Sequence, residues 1–173
     1  MSFELGIMAD KFPVELLPIG EDDFRSYLKS QILEYAKEKV KSGNWEEREA
    51  FDLSTKSFNN LLPGGRETSG HSIMSIVDSK RKEKVGVLWV EWNNKEHNAS
   101  FIWDIIIFDN FRRKGYGSAA LKQLEKMAVE KGSSGISLHV FGHNKAAISM
   151  YESLGYYATN IIMKKDIGNG IKS

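Results

Sequence analysis

The chain has 173 residues, 41% of them apolar and 27% charged, with a formal net charge of +1. This is the composition of a single soluble globular domain, here spanning 1–173 with loose termini at 1–11 and 168–173, and its near-neutral balance excludes the global basic field of a nucleic-acid binder. No cysteine is present, which excludes disulfides, a cysteine nucleophile and thiolate metal sites; no run has the length or apolarity of a membrane span or a secretory signal, so a cytoplasmic protein is expected.

In chain order, residues 14–19 read as a short strand, with Pro13 before it and Pro18 within it suited to a sheet edge. Glu21, Asp22 and Asp23 then supply acids for the first turn of a helix in which Phe24, Leu28, Ile32, Tyr35, Ala36 and Val40 recur at helical spacing, ended by Gly43. A second helix is expected over 46–62, with Phe51, Phe58, Leu61 and Leu62 as its apolar members and Pro63-Gly64-Gly65 as its stop. Three strands follow, over 71–77, 85–92 and 99–108, joined by short polar turns. Beyond them come a helix to Lys131 closed by Gly132, a strand over 136–141, a short helix from Asn144 to Leu154 with Gly155 behind it, and a final strand over 156–165. The order is β-α-α-β-β-β-α-β-α-β, an α/β chain with a mixed, mostly antiparallel central sheet flanked by helices.

Chemistry concentrates where the third central strand meets the next helix, at Phe111-Arg112-Arg113-Lys114-Gly115-Tyr116-Gly117-Ser118. A strand, a basic glycine-bearing turn and a helix N-terminus form a local anion site, because the helix start offers unpaired N–H groups and glycine lets a ligand approach the backbone. An ordinary strand-to-helix turn with solvated charges reads the same stretch equally well. Gly115-Tyr116-Gly117-Ser118-Ala119-Ala120 formally fits a dinucleotide fingerprint, but the next strand lacks the carboxylate expected about 20 positions on, and the glycine turn follows a meander rather than opening the fold. No Walker sequence occurs either.

The turn resembles the acyl-CoA loop of the GNAT acetyltransferases, Gln/Arg-x-x-Gly-x-Gly/Ala, standing here as Arg112 to Gly117. The block from Asn144 through Ala147 and Tyr151 to Gly155-Tyr156 is similar to the family's Asn-x-x-Ala-x-x-x-Tyr-x-x-x-Gly-Phe signature, and Leu138-His139-Val140-Phe141 resembles the strand of small bacterial members. The resemblance implies a GNAT fold and an N-acetyltransferase that moves acetyl from acetyl-CoA to a primary amine, on a small molecule or a peptide, by direct attack in a ternary complex. It implies that Arg112, Arg113, Lys114, Gly115, Tyr116, Gly117 and Ser118 hold the pyrophosphate, that backbone groups of Ile105, Ile106 and Ile107 hold the pantetheine arm, and that Asn144 and Tyr151 meet the cofactor. A homodimer joined through the final strand is a further expectation by fold analogy.

Asn144 and Tyr151 lie seven residues apart, on one helix face with roughly 10 Å of rise between them. In the family the tyrosine protonates the leaving sulfur, which suits a phenol near 10 facing a thiol near about 8.5. Asn144 is equally a helix cap, and Tyr151 an aromatic packing residue. Two groups stand as general base: His139, with a near-neutral pKa, and Asp104, the one charge inside an apolar strand run. Each also has a structural reading as a hydrogen-bonded or paired side chain, and deprotonation through water is a third route. His71, His97 and His143 have no metal-ligand spacing, so no metal is expected. Trp89 or Trp103 could line the acceptor pocket. A non-catalytic acyl-CoA-binding protein on the same fold, and a nucleotide-binding module, are the competing readings.

Overall fold

Alternation of buried residues through the middle of the chain builds the sheet. In the computed structural model, which describes residues 13–165 and 167, the strands are β1 (Val14–Pro18), β2 (His71–Asp78), β3 (Lys84–Asn94), β4 (Ala99–Ile107) and β5 (Ile136–Leu138), side by side in that order. The first three pairings are antiparallel and the β4–β5 pairing is parallel, the mixed sheet that the sequence predicts. β1 takes the edge, where Pro18 withholds no ladder hydrogen bond. The expectations for residues 1–11 and for the tail from 168 lie outside the described residues. Two compact units are formed, one ending at His139 and the other beginning at Val140.

In the first unit, α1 (Glu21–Lys41) and α2 (Glu47–Leu61) deliver Phe24, Tyr27 and Phe58 onto Ile73 of β2 and Val87 and Trp89 of β3. Leu88 and Val90, one residue along β3 and so on its other face, are fully buried as well. There α3 (Tyr116–Glu130) packs on β1, β3 and β4, burying Tyr116, Ala120, Leu121 and Leu124. Several polar groups inside these layers are paired, as burial favours. Ser54 of α2 donates to the Ile32 carbonyl of α1 at 2.7 Å. Trp89 Nε1 donates to His71 Nδ1 at 3.0 Å, and Trp103 Nε1 to Glu91 Oε2 at 3.0 Å. The two indoles stack with centroids 5.7 Å apart and planes 28° from parallel.

In the second unit, α4 (Lys145–Ser153) starts at Asn144, whose Oδ1 accepts from the Ala147 N–H at 3.2 Å. It ends ahead of Gly155, which adopts φ 89°. Asn144 therefore acts as the expected cap.

Three expectations need correction. Phe51 is 53% exposed, because the buried face of α2 runs through Ala50, Ser54 and Phe58 at four-residue spacing and turns its neighbour outward. The strand expected over 136–141 stops at Leu138. Residues 156–165 carry no strand among the described residues; Tyr157, Ile162 and Met163 are 82%, 95% and 90% exposed. Alternation of side chains permits a strand, but only a paired ladder makes one.

Candidate functional site

The glycine turn is built on left-handed backbone. Arg113 has φ 58° and Gly115 φ 94°, and Gly115 occupies the position just before α3. A side chain at Gly115 would be strained there. The first bond of α3 runs from the Ala119 N–H to the Gly115 carbonyl at 3.0 Å, so the helix itself supplies no carbonyl for the N–H groups before it. A left-handed turn opening onto a helix N-terminus makes a concave seat for an anion.

A buried clamp fixes this seat. Tyr116 Oη donates to Asp78 Oδ2 at 2.6 Å, while Asp78 Oδ1 accepts from the backbone of Lys80 and Arg81, each at 2.9 Å. The Tyr116 hydroxyl first, then the Arg81 N–H, hold the Asp78 carboxyl below the usual carboxylate range. The start of α3 is thereby tied to the turn between β2 and β3. The side-chain cations are partly committed to the loop itself. Arg112 donates through Nε to the Ile107 carbonyl at 2.9 Å and pairs with Asp109 at 2.9 Å. Lys114 Nζ donates to the Asn110 carbonyl at 2.8 Å. Arg113 is exposed.

Upstream of the turn, β4 is paired on both sides only over a short stretch. Its register with β3 runs from Ala99 to Ile107, whereas β5 pairs with it only at Ser100, Phe101 and Ile102. Among the described residues, the outer edge of β4 from Trp103 to Ile107, which includes Ile105, Ile106 and Ile107, therefore faces no strand. On the inner side, Gly86 of β3 allows close approach. A Cβ there would stand 2.1 Å from the Ile106 carbonyl oxygen.

A cavity of about 870 Å³ opens between α1 and the sheet. One face of α1 lines it with Asp23, Ser26, Tyr27, Ser30, Gln31 and Glu34; Gly86, Val87 and Ile106 floor it, and Phe108, Asn110 and Arg112 of the turn close one end. Lys84 at its rim is paired with Asp23. Tyr27 Oη donates to Asp104 Oδ2 at 2.9 Å. Burial pushes the Asp104 carboxyl up to about 6, against the opposing pull of the Tyr27 and Ile105 hydrogen bonds. Burial also raises the Tyr27 phenol well above its ordinary value, with the Asp104 charge adding to the effect. His139, just past β5, is exposed, and partial burial followed by the Lys39 charge lowers its imidazole pKa. Trp89 and Trp103 belong to the core and do not line the cavity.

The first unit thus brings together Asp104, the Ile105, Ile106 and Ile107 edge, and the turn from Arg112 to Ser118, and it also holds His139, which feels the Lys39 charge. Asn144 and Tyr151 sit on and before α4 in the second unit, where the rings of Tyr151 and Tyr156 lie 5.6 Å apart. Sequence reasoning missed Tyr27 and Asp78. The polar stripe of α1 at spacings of one and three residues, Ser26, Tyr27, Ser30, Gln31 and Glu34, was the available signal for the first.

The pattern described as the acetyltransferase (GNAT) family matches residues 30–156. The chain is 38% identical over 156 residues to YycN of Bacillus subtilis, named as an uncharacterised N-acetyltransferase, covering 89% of this chain and 99% of that one. It is 34% identical over 149 residues to YdgE of the same organism, likewise named, covering 85% and 94%. The crystal structure of YycN superposes with a TM-score of 0.82 at 37% identity, over 89% of this chain and 98% of that one. A stretch of 70 residues is 29% identical to the thialysine N-epsilon-acetyltransferase of Bos taurus, covering 40% of this chain and 41% of that protein.

Proposed function

The chain belongs to the GNAT acetyltransferase family, and from that premise we propose that it transfers acetyl from acetyl-CoA to a primary amine by direct attack in a ternary complex. The observation that carries the reading is the edge of β4, unpaired among the described residues, running into the left-handed turn at Gly115, beside a cavity that Tyr27 and Ile106 line. These residues fit a coenzyme A. The seat at residues 113–118 suits its pyrophosphate, and the peptide groups of Ile105, Ile106 and Ile107 suit its amide-bearing arm. When bound, acetyl-CoA supplies an acetyl group activated as a thioester.

The roles follow from chemistry. A strand N–H near Ile107 polarises the carbonyl that is attacked, and the turn holds the donor in line. By the family resemblance, Asn144 would hold the cofactor and Tyr151 would give a proton to the departing sulfur. An amine of lysine type must lose a proton at a cost of about 4–5 kcal/mol at neutral pH, so a base matters. Asp104, titrating at about 6, is ionised at pH 7 and suited to the task. His139 is the second reading, supported by an imidazole held neutral at that pH. With no cysteine in the chain, no thioester forms on the protein.

A relative named for thialysine supports an amine on a small molecule as acceptor. No helix among the described residues is long and apolar enough to cross a membrane, in keeping with a proposed cytoplasmic site of action. Thermal melts with acetyl-CoA, NAD or ATP, followed by release of free CoA with polyamines, thialysine, aminoglycosides and peptide N-termini, test the reading. Stabilisation by acetyl-CoA and turnover of one amine class are expected. Stabilisation by NAD alone would sink it, and tight acetyl-CoA binding without turnover of any amine would leave the non-catalytic acyl-CoA-binding reading in its place.

A further inference from the structure

We propose that Tyr27 is the residue that receives the proton of the acceptor amine, handing its own hydroxyl proton to Asp104. The inference rests on the acetyl-transfer reading above. Its starting point is that Tyr27 lines the cavity between α1 and the sheet while Asp104 does not, although the two are joined by a 2.9 Å hydrogen bond. An amine in the cavity therefore meets the Tyr27 side chain and reaches the Asp104 carboxylate through it. Tyr27 is 6% exposed and packed with Phe24, Phe58 and Trp89, so its side chain is held in one place.

Burial keeps this phenol from ionising on its own, and it can take a proton only as it gives one up. In the step, an N–H bond of the acceptor, which arrives as the ammonium, breaks and an O–H bond forms at Tyr27 Oη. The original Tyr27 O–H bond breaks in concert, and a new one forms at Asp104 Oδ2. The nitrogen lone pair is then free to form the amide bond, and Asp104 later releases its proton to water. The other charged groups on this cavity are compensated locally: Asp23 by Lys84, Arg112 by Asp109, and Glu34 by Lys37. Asp104 is the carboxylate bonded to the Tyr27 hydroxyl.

The test uses the full chain with acetyl-CoA and thialysine, or spermidine if thialysine is not turned over, across about pH 5 to 9. Tyr27→Phe retains the ring that the core needs and removes only the oxygen. The plateau kcat should fall roughly 100-fold, with the KM for acetyl-CoA unchanged. Asp104→Asn should fall comparably, and the double variant no further than the worse single one, because the two act as one unit. A carboxylate that takes the proton directly gives a different result. Tyr27→Phe would then keep its plateau and only move its acid limb to higher pH, since the phenol bond opposes protonation of Asp104; that outcome overturns the relay. So would losses that multiply in the double variant. A second readout needs no turnover: the Asp104 carboxyl resonance in the free protein should titrate at higher pH in Tyr27→Phe, and an unmoved titration overturns the pairing. A wild-type protein inert toward every amine counts against the acetyl-transfer reading, and the titration alone then decides the pairing.

Discussion

Asp104 is held in a place where its charge is costly. Its carboxyl binds a proton up to about pH 6 in the folded chain, against an ordinary value near 3.8. The folded state therefore holds more protons than the unfolded one between those values, and stability declines as pH rises through that window. Above it the full penalty applies, on the order of 1–3 kcal/mol once the retained Tyr27 bond is allowed for. Asp104→Asn should accordingly melt roughly 3–8 °C higher than the wild type at pH 8 and show little gain at pH 4, while turning over more slowly. Equal melting temperatures at pH 8 would remove the strain argument. Tyr151→Phe probes the opposite end of the reaction. It should lower kcat roughly tenfold or more while leaving acetyl-CoA affinity within about twofold, as measured by single-turnover rates and equilibrium binding. Unchanged turnover would remove Tyr151 as the acid.

Among the elements, the β3–β4 pair carries the tightest constraint. Gly86 sits opposite Ile107 in the ladder, and a methyl group there would meet the Ile106 carbonyl at 2.1 Å. Neither backbone can yield without shifting the strand edge proposed to hold the pantetheine arm. Gly86→Ala should therefore cost about 3 kcal/mol by overpacking and weaken acetyl-CoA binding as well. Chemical denaturation and isothermal titration check the two effects, and a variant as stable as wild type would show that the strands separate easily. The clamp between Asp78 and Tyr116 does comparable work for α3. Because its carboxyl is held below the usual range, the charged form of the clamp outlasts an ordinary carboxylate as pH falls, and its stabilisation is lost only through the lower folded pKa.

At the scale of the molecule, binding of acetyl-CoA to the folded chain alone should raise stability by about 2.7 kcal/mol at a hundredfold excess over Kd, a shift of roughly 5–10 °C. Melts that do not move with acetyl-CoA concentration would contradict a preformed donor site. Much of this fold was legible in the sequence where local physics decides. Gly43, Gly115, Gly132 and Gly155 all take left-handed φ, from 72° to 94°, which is why glycine punctuates those ends. The mixed sheet followed from strand order and from the motif. What escaped depends on partners remote in the chain. Tyr27 and Asp104 are 77 residues apart, and Asp78 and Tyr116 are 38 apart, so no local period announces either pair. The charges of Arg112 and Lys114 were readable, but their engagement by the carbonyls of Ile107 and Asn110 was not. Residues 156–165 alternate as a strand does, yet no ladder among the described residues pairs with them.

The stacked indoles of Trp89 and Trp103 give the chain an optical gauge. At 5.7 Å and 28° their transition dipoles couple, so near-ultraviolet circular dichroism carries a signal from a single pair of neighbouring strands. One indole is anchored by His71 and the other by Glu91. A slip of β4 by one residue would turn Trp103 to the opposite face. The coupled signal therefore reports strand register itself, and it would vanish on slippage even while the far-ultraviolet spectrum still showed an intact sheet.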